Sequence, residues 1–424
     1  MQELALYVHV PFCVSKCYYC DFLSFAGIAA EQQAAYFDAV MKEISEAAAQ
    51  LPKQSAKRFR VTSIYFGGGT PSSVEAAHIA KLLHQMEDHF WVAGDAEITL
   101  EVNPGTVTLE KLQEFYRMGI NRLSIGAQSM MNHDLMHLGR AHTVQDFYEA
   151  YRNARTAGFR NISVDVMMGL PGQTTVEHLE SLRELAEFHP EHISAYSLMV
   201  EEGTPFYEVY GGGRDAIADH LMGLTKLPLP AEETERQMYH DTVNFLVSMG
   251  YHRYEISNFA KNDEGDHTYE SHHNTVYWTR GDYLGFGLGA SSMIENERFS
   301  NLRSLAEYIE ADGDTEKLRR DITKLDLKAQ IEEYMFLGLR MARGIDPAVF
   351  EETFDVSLQA LYGEVIDALC KENLLTWENG ALILTARGID VSNRVLSYFL
   401  LEEEETETDT DTDTEALTQT MMEP

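Results

Sequence analysis

The sequence predicts an α/β fold built around a parallel β-sheet. Short β-branched segments that end in Gly, Asn or Pro recur from the N-terminus, and each is followed by a segment with helical spacing of its apolar residues. Polar and glycine-rich residues cluster directly after the predicted strands, at the edge where parallel sheets build their sites. This alternation implies right-handed crossovers in a sheet that is either open or curled as a barrel.

Six strand–helix units account for the first half of the chain. The predicted strands cover residues 4–10, 63–66, 97–102, 122–126, 163–168 and 192–198. The predicted helices between them cover residues 32–51, 76–90, 109–118, 143–157 and 176–188. Because 424 residues suggest two to three domains at about 150 residues each, this unit is expected to be one domain among others.

The strand–helix pattern stops after Tyr207. Three consecutive glycines at residues 211–213 and two prolines, Pro228 and Pro230, mark a break in the chain. We therefore predict a first domain over residues 1–210 and an accessory region over residues 211–324. The accessory region is predicted to contain an amphipathic helix over residues 232–249 and a polar, histidine-bearing loop over residues 262–274.

Residues 325–400 predict a further domain with the order helix, helix, helix, hairpin, helix. Asn379-Gly380 supplies a two-residue turn between the apolar segments 374–376 and 382–384. This order resembles a winged-helix module, but twelve acidic against six basic residues disfavour DNA reading and suit a packing or lid role. Residues 401–424 alternate Thr with Asp or Glu, cannot bury apolar surface, and are predicted to be disordered.

Charge and composition exclude several classes of function. The net charge is −35, from 33 Lys plus Arg and 68 Asp plus Glu, and such a surface repels phosphate backbones and anionic lipid headgroups. We therefore expect no nucleic-acid partner. The chain has no run of about 18 apolar residues, and its first residues lack the basic start of a secretory signal. The sequence predicts a cytoplasmic protein that does not span a membrane.

Three of the four cysteines, Cys13, Cys17 and Cys20, lie within eight positions directly after the first predicted strand. Four cysteines are too few for a disulfide framework, so this crowding favours a metal or cluster site. Three thiolates can hold three irons of a [4Fe-4S] cluster and leave the fourth open to an exchangeable ligand. The alternatives are chance clustering and a zinc site completed by a residue such as His9, although zinc ligands usually come as two matched pairs.

The spacing Cys-x3-Cys-x2-Cys after the first strand of a six-fold βα repeat resembles the radical S-adenosylmethionine (SAM) superfamily. The resemblance implies a partial (β/α)6 barrel related to the TIM barrel, with a [4Fe-4S] cluster on the three cysteines. It implies that SAM binds the open iron through its amino and carboxylate groups. Residues 67–71 read Gly-Gly-Gly-Thr-Pro. By the same resemblance, Gly68, Gly69 and Thr70 contact the amino group of SAM.

Within this superfamily the chain is similar to the coproporphyrinogen oxidase-like family. The similarity is carried by residues 7–22, 67–71, 100–105, 126–129 and 165–174, and it extends over nearly the whole chain apart from the acidic tail. Taken singly, polar residues at strand ends are more often caps than ligands. The resemblance implies cofactor contacts for Tyr7, Tyr19, Glu101, Gln128, Arg140 and Asp165.

Two functions share this family's architecture. Oxygen-independent coproporphyrinogen III oxidase decarboxylates two propionates, whereas HemW-type heme chaperones bind heme and pass it on. The oxidase has a fourth cysteine two positions after the third, where this chain has Phe22 after Asp21, and an extension before the cluster strand, whereas this chain starts three residues before it. Residues 273–278 read His-Asn-Thr-Val-Tyr-Trp and match the His-Asn-x-x-Tyr-Trp motif of HemW-type chaperones.

We therefore predict a heme chaperone with three cofactors: a [4Fe-4S] cluster, SAM and heme. Heme is expected to bind near His273, with His272 as the alternative ligand, since imidazole is a common axial ligand of heme iron. The expected partners are heme and a heme-acceptor protein. The cluster and SAM are expected to gate heme transfer or reduction. The alternative functions are a coproporphyrinogen oxidase or another SAM-cleaving enzyme, and then a bare iron–sulfur protein.

Overall fold

A computed structural model describes residues 2–51, 59–211, 227–261 and 269–401. The acidic tail, for which disorder is predicted, lies outside the described residues apart from Leu401. Most of the glycine run at residues 211–213 and of the predicted polar loop at residues 262–274 also lies outside them.

The first half of the chain alternates strands and helices as predicted. Its strands are β1 (Gln2–Val10), β2 (Phe12–Cys13), β3 (Phe25–Ala26), β4 (Phe59–Gly68), β5 (Val92–Val102), β6 (Arg122–Gln128), β7 (Asn161–Met168) and β8 (His192–Ser197). Its helices are α1 (Ala30–Gln50), α2 (Ala76–His89), α3 (Leu109–Arg117), α4 (Asn132–His137), α5 (Val144–Ala157), α6 (Thr175–Ala186) and α7 (Pro205–Tyr210). The six predicted strands and five predicted helices are confirmed, with β4 and β5 starting earlier than expected.

The accessory region adds strands to both edges of the sheet. It contains α8 (Glu232–Ser248), β9 (Tyr251–Arg253), β10 (Asn258–Lys261), α9 (His272–Trp278), β11 (Asp282–Phe286), β12 (Ser291–Ile294), β13 (Glu297–Asn301), α10 (Leu305–Ala311), α11 (Thr315–Leu318) and β14 (Arg319–Lys324). The prediction of a loop up to residue 274 is wrong at its end, because α9 begins at His272. The Ser271 hydroxyl caps this helix by accepting the backbone N–H of Asn274.

All these strands except β2 and β3 form one sheet, in the order β14-β13-β12-β11-β1-β4-β5-β6-β7-β8-β10-β9. Strands β1 and β4 to β8 run parallel, and β11 adds a seventh parallel strand on the outer side of β1. The remaining strands pair antiparallel. Residues that follow β1 and residues that follow β8 line one cavity, so the described strands curve into a partial barrel.

Alternation along the strands separates an apolar outer face from a polar inner face. In β1, Leu4 and Leu6 are fully buried in the hydrophobic core that packs against the helices. The inner face instead carries Arg122, which is 2% exposed, with its Nε 3.8 Å from a Glu97 oxygen. His192 is buried between the hydroxyls of Ser163, at 2.7 Å, and Tyr254, at 2.9 Å. Buried polar side chains on the inner face therefore make an ion-pair contact at Arg122 and hydrogen bonds at His192.

His178 links α6 to α8, because its Nε2 lies 2.7 Å from the Thr242 hydroxyl. Burial lowers the pKa of His178 to about 4. The neutral ring therefore stabilises the fold above the unfolded-state pKa of about 6.5, and this contribution is lost as the pH falls toward 4. We expect the stability advantage of wild type over His178→Gln to shrink by about 3 kcal/mol between pH 6.5 and 4.

Urea unfolding of both proteins across this pH range measures that difference. Because the buried carboxyl groups are common to both proteins, their own titration cancels. His84→Gln changes an exposed histidine and serves as the matched control, for which we expect a far smaller change in the stability difference than for His178→Gln. A pH-independent difference for His178→Gln would contradict the prediction.

The C-terminal part has its own hydrophobic cluster, which includes Phe350, Leu382 and Phe399. Its elements are α12 (Leu327–Gly338), α13 (Pro347–Phe354), α14 (Leu358–Lys371), β15 (Leu375–Glu378), β16 (Ala381–Leu384), α15 (Ala386–Asp390) and α16 (Ser392–Ser397). Positive φ angles at Asn379 (50°) and Gly380 (87°) provide the predicted two-residue turn. The winged-helix-like order is confirmed, whereas the domain boundaries at residues 210 and 324 stay predictions. None of the described helices combines the length and apolarity needed to cross a membrane.

Candidate functional site

The carboxyl ends of the parallel strands surround a cavity of about 430 Å³, here called the cysteine cavity. It is bounded by the loops that follow β1, β4, β5 and β6 and by residues of β7 and β8. Eleven of the thirteen predicted site residues line it: Cys13, Cys17, Tyr19, Cys20, Gly68, Gly69, Thr70, Glu101, Gln128, Arg140 and Asp165. Residues predicted from separate segments of the chain therefore meet at one place.

The segment that carries Cys13, Cys17 and Cys20 is called the cysteine loop. The glycine turn at the end of β4, residues 67–69, holds the start of this loop in place. Gly69 donates its N–H to the Val10 carbonyl at 2.9 Å, and a Cβ at this position would lie 2.8 Å from the same oxygen. Gly68 has φ 108°, and a Cβ there would meet the ring of His9 at 2.4 Å. Glycine is therefore required at both positions by close approach. Thr70 donates its hydroxyl to the Cys13 sulfur at 3.4 Å.

The three thiols fit an iron–sulfur cluster by their chemistry. None forms a disulfide, and all three face the same cavity. Burial, with the nearby Cys17 and Cys13, raises the pKa of Cys20 to about 11, so the thiolate form needs a compensating cation, which a bound metal supplies. Among the described residues no three His, Cys, Asp or Glu side chains close around a single metal ion. The fit therefore rests on the donor set and the shared cavity.

His9, the candidate fourth ligand of a zinc site, is engaged elsewhere. Its Nε2 lies 2.7 Å from the Leu23 carbonyl oxygen, and its Nδ1 lies 3.1 Å from the Tyr7 hydroxyl. Both ring nitrogens are thus hydrogen-bonded, which disfavours His9 as a zinc ligand.

Two half-buried carboxyl side chains, those of Glu101 and Asp165, face the cysteine cavity. Glu101 accepts hydrogen bonds from the Tyr65 hydroxyl at 2.9 Å and from the Gly68 N–H at 3.1 Å. Burial raises its pKa to about 7. Asp165 accepts from the Ser124 hydroxyl at 3.1 Å, and burial raises its pKa to about 6. Such carboxyl groups are suited to accept hydrogen bonds from an ammonium or hydroxyl group of a ligand.

Arg140 supplies positive charge beside the cysteine loop. Its Nη1 lies 3.7 Å from the Cys17 sulfur, and its Nη2 donates to the Gly126 carbonyl at 2.8 Å and to the Asn103 side chain at 3.0 Å. Its Nε is buried without a hydrogen-bond partner in the described chain. A guanidinium fixed in this way lowers the free energy of thiolates at the loop.

Gln128 ends β6 with φ 67°, a rare angle for a residue with a side chain. It accepts a hydrogen bond from the Tyr196 hydroxyl at 2.8 Å, which fixes its amide at the cavity wall. Sequence reasoning missed Tyr196 and Asn103 as lining residues. The position of Asn103 directly after β5 was an available signal, whereas nothing local distinguishes Tyr196.

Two predicted site residues, Tyr7 and His273, lie outside the cysteine cavity. His273 is 1% exposed and lies under the ring of Tyr65, with ring centroids 5.0 Å apart. Its Nδ1 is 2.9 Å from the Ser63 hydroxyl and its Nε2 is 2.9 Å from the Tyr277 hydroxyl. Both nitrogens are therefore occupied, and neither is free to ligate iron in this arrangement. Burial lowers the pKa of His273 to about 3, so its ring is neutral.

His272, the alternative heme ligand, faces a different cavity of about 640 Å³ at the amino ends of the strands. Its Nε2 lies 2.9 Å from the Thr62 hydroxyl. This cavity also has Glu3, Glu97 and Arg160 in its walls. The backbone N–H groups of His272 and His273 both donate to Glu97, which ties the start of α9 to β5.

A three-cysteine loop after the first parallel strand, over a cavity lined by a glycine turn and half-buried carboxyl side chains, is the arrangement of a radical SAM domain. Residues 7–189 match the family model described as the radical SAM superfamily, and residues 325–391 match the HemN C-terminal domain. The fold resembles coproporphyrinogen III oxidase (HemN) from Escherichia coli, with a TM-score of 0.76, 24% identity and coverage of 94% of this chain and 90% of that one. The predicted fold class is confirmed.

Similar proteins of known name identify the family within the radical SAM superfamily. "Heme chaperone HemW" of Bacillus subtilis (strain 168) is 35% identical over 93% of this chain and 99% of its own length. The protein of the same name from Lactococcus lactis is 33% identical over 94% of this chain and 97% of its own length. "Radical S-adenosyl methionine domain-containing protein 1, mitochondrial" of Danio rerio is 32% identical over 95% and 88%. The chain belongs to the HemW family of the radical SAM superfamily, as the sequence motifs indicated.

Proposed function

We propose that the protein is a heme chaperone that binds heme and transfers it to an acceptor protein. In this proposal Cys13, Cys17 and Cys20 hold a [4Fe-4S] cluster, and exchangeable SAM binds in the cysteine cavity. The observation that carries it is the convergence of three free thiols, a glycine turn and two half-buried carboxyl side chains on one cavity in a HemW-family chain. Such a site provides for a cluster and a cationic ligand together.

The cluster, when bound, supplies an electron and an open iron. Arg140 lowers the free energy of the Cys17 thiolate, and Thr70 donates a hydrogen bond to the Cys13 sulfur. In this proposal Glu101 and Asp165, which line the cavity, accept hydrogen bonds from the ammonium and hydroxyl groups of SAM.

Aromatic side chains close one side of the cysteine loop. Tyr19 and Tyr18 pack against Phe206, and the Phe206 N–H donates to the Tyr18 carbonyl at 2.9 Å. Excluding water from a cluster tunes its potential and protects reactive species. This wall supports a role in which the cluster controls heme transfer or reduction.

Asp21 and Phe22 favour the chaperone over the oxidase. The family's oxidase carries a cysteine at the position of Phe22, whose side chain here is 59% exposed. Free cysteines outside disulfides suit a reducing compartment, so we propose a cytoplasmic location. The fold similarity to HemN keeps the oxidase as the competing outcome of the test.

The test is anaerobic reconstitution with iron and sulfide, followed by two parallel incubations. One contains heme, and the other contains coproporphyrinogen III, SAM and a reductant. We expect a stable heme complex and no decarboxylated product. Decarboxylated product with stoichiometric 5′-deoxyadenosine would overturn the chaperone and make the protein an oxidase. Absence of any heme complex would also refute the proposal.

A further inference from the structure

Beside the cysteine cavity lies a second opening of about 330 Å³, here called the tyrosine cleft. Its walls include Tyr7, Phe22, Tyr277, Tyr283 and Arg303. The cleft and the cysteine cavity share Asp21 and Phe22 as lining residues, so they are neighbours separated by the end of the cysteine loop. A ligand in the tyrosine cleft would therefore lie next to the cysteine loop.

The walls of the tyrosine cleft offer flat aromatic surface. Tyr277 and Tyr283 pack edge to face, with ring centroids 4.6 Å apart and an interplanar angle of 83°. Phe22, another lining residue of the cleft, is an apolar residue that is 59% exposed. Flat aromatic faces at the edge of a cavity are suited to a planar conjugated ring.

Arg303 supplies the cationic group of the cleft. It is exposed, and within the described residues it makes no hydrogen bond or ion pair. In a chain with 68 acidic against 33 basic residues, an arginine without an acidic partner is available to an anionic ligand. Guanidinium groups pair well with carboxylates because two N–H groups match two oxygens.

The His-Asn-x-x-Tyr-Trp motif reaches the tyrosine cleft through Tyr277 rather than through His273. The buried His273 ring lies between the Ser63 hydroxyl and the Tyr277 hydroxyl, both at 2.9 Å. Ser63 is fully buried in β4, so this side of the bridge is fixed by the sheet. His273 is therefore placed to act as a positioning residue that orients the Tyr277 ring toward the cleft.

We propose that the tyrosine cleft binds the edge of a planar tetrapyrrole, with Arg303 pairing one of its carboxylates and Tyr277 and Tyr283 packing on the ring. This inference rests on the proposed heme-chaperone function and gives it a site. Together the cleft and the cysteine cavity fall within the roughly 300–1,000 Å³ typical of ligand sites. Recognition through ring and carboxylate does not depend on the iron.

Porphyrin titrations of the reconstituted full-length protein test the site. The probes are heme, metal-free protoporphyrin IX and its dimethyl ester, which lacks free carboxylates. Arg303→Gln should raise the dissociation constants of heme and protoporphyrin IX about tenfold and leave that of the ester unchanged. Tyr283→Ala should weaken all three. Arg320→Gln, which changes another exposed arginine on β14, is the matched control and should change none.

His273→Gln separates the two possible roles of the motif. If His273 only positions Tyr277, His273→Gln should weaken the binding of heme and of metal-free protoporphyrin equally. The weakening should be as large as that caused by Tyr277→Phe. Loss of heme binding with protoporphyrin binding intact would identify His273 as an iron ligand and overturn the cleft. Unchanged porphyrin binding in Arg303→Gln and Tyr283→Ala would also overturn the tyrosine cleft as the binding site, while the proposed heme-chaperone function would still stand. If wild type bound no porphyrin, the proposed function itself would fail.

Discussion

Replacing Cys17 by serine should reduce the iron content of the reconstituted protein from about four atoms per chain to near zero. Cys17 is one of only three thiols at the cysteine cavity, and Arg140 lies 3.7 Å from its sulfur. With two thiolates left, two irons of the cluster would lack a protein ligand. Iron and sulfide analysis after anaerobic reconstitution, together with the visible absorbance of the cluster, measures the loss.

Cys370→Ser is the matched control for this experiment. Cys370 is the fourth cysteine of the chain and lies on α14, packed against the C-terminal hydrophobic cluster. Its replacement should leave iron and sulfide at the wild-type level. Equal loss in both variants would mean that the iron is bound non-specifically by thiols, and full retention in Cys17→Ser would show that the cluster is held elsewhere.

Replacing Glu101 by glutamine should weaken SAM binding by about ten- to one-hundredfold. The side chain is half-buried at the cavity wall and already accepts hydrogen bonds from the Tyr65 hydroxyl and the Gly68 N–H. The amide keeps the shape but loses the negative charge that would face an ammonium group, and hydrogen bonds to charged groups contribute about 1.5–3 kcal/mol. Equilibrium binding of SAM to the reconstituted protein measures the change.

Glu43→Gln controls for burial alone. Glu43 is a buried glutamate on α1, and burial raises its pKa to about 7, as it does for Glu101. It accepts hydrogen bonds from the Gly287 N–H at 2.9 Å, from the Asn301 side chain at 2.6 Å and from the Tyr308 hydroxyl. Both variants should lower the free energy of unfolding, but only Glu101→Gln should affect SAM. Equal weakening of SAM binding by both would show an indirect effect of stability.

The parallel core was predictable because its signals are local. The short, almost continuously buried apolar segment of β1 and the helical spacing of the buried residues of α5 are each visible within ten to fifteen residues. Parallel strands bring their carboxyl ends to one edge, so Glu101, Gln128 and Asp165 had to approach the cysteine loop. Their convergence on one cavity follows from topology, while their role toward SAM stays a prediction.

The position of the histidine motif was not predictable in the same way. His273 meets Ser63, which is 210 positions away in the sequence, and His272 meets Glu97, which is 175 positions away. A seven-residue helix shows too little periodicity to reveal which face is buried. The prediction of heme near His273 followed the motif alone, whereas the burial of its ring depends on long-range partners.

The pairing of β11 with β1 also has a consequence for the order in which the protein is made. Leu4 pairs with Asp282, so the outer edge of the first strand has no β11 neighbour until the chain has grown by a further 278 residues. At about 5–20 residues per second this interval is roughly 15–55 seconds. Throughout it the wall that carries Tyr283 is missing and the cysteine loop is open on that side. The nascent chain therefore carries an unpaired strand edge along β1 throughout this interval, and such an edge is a site of aggregation until β11 covers it.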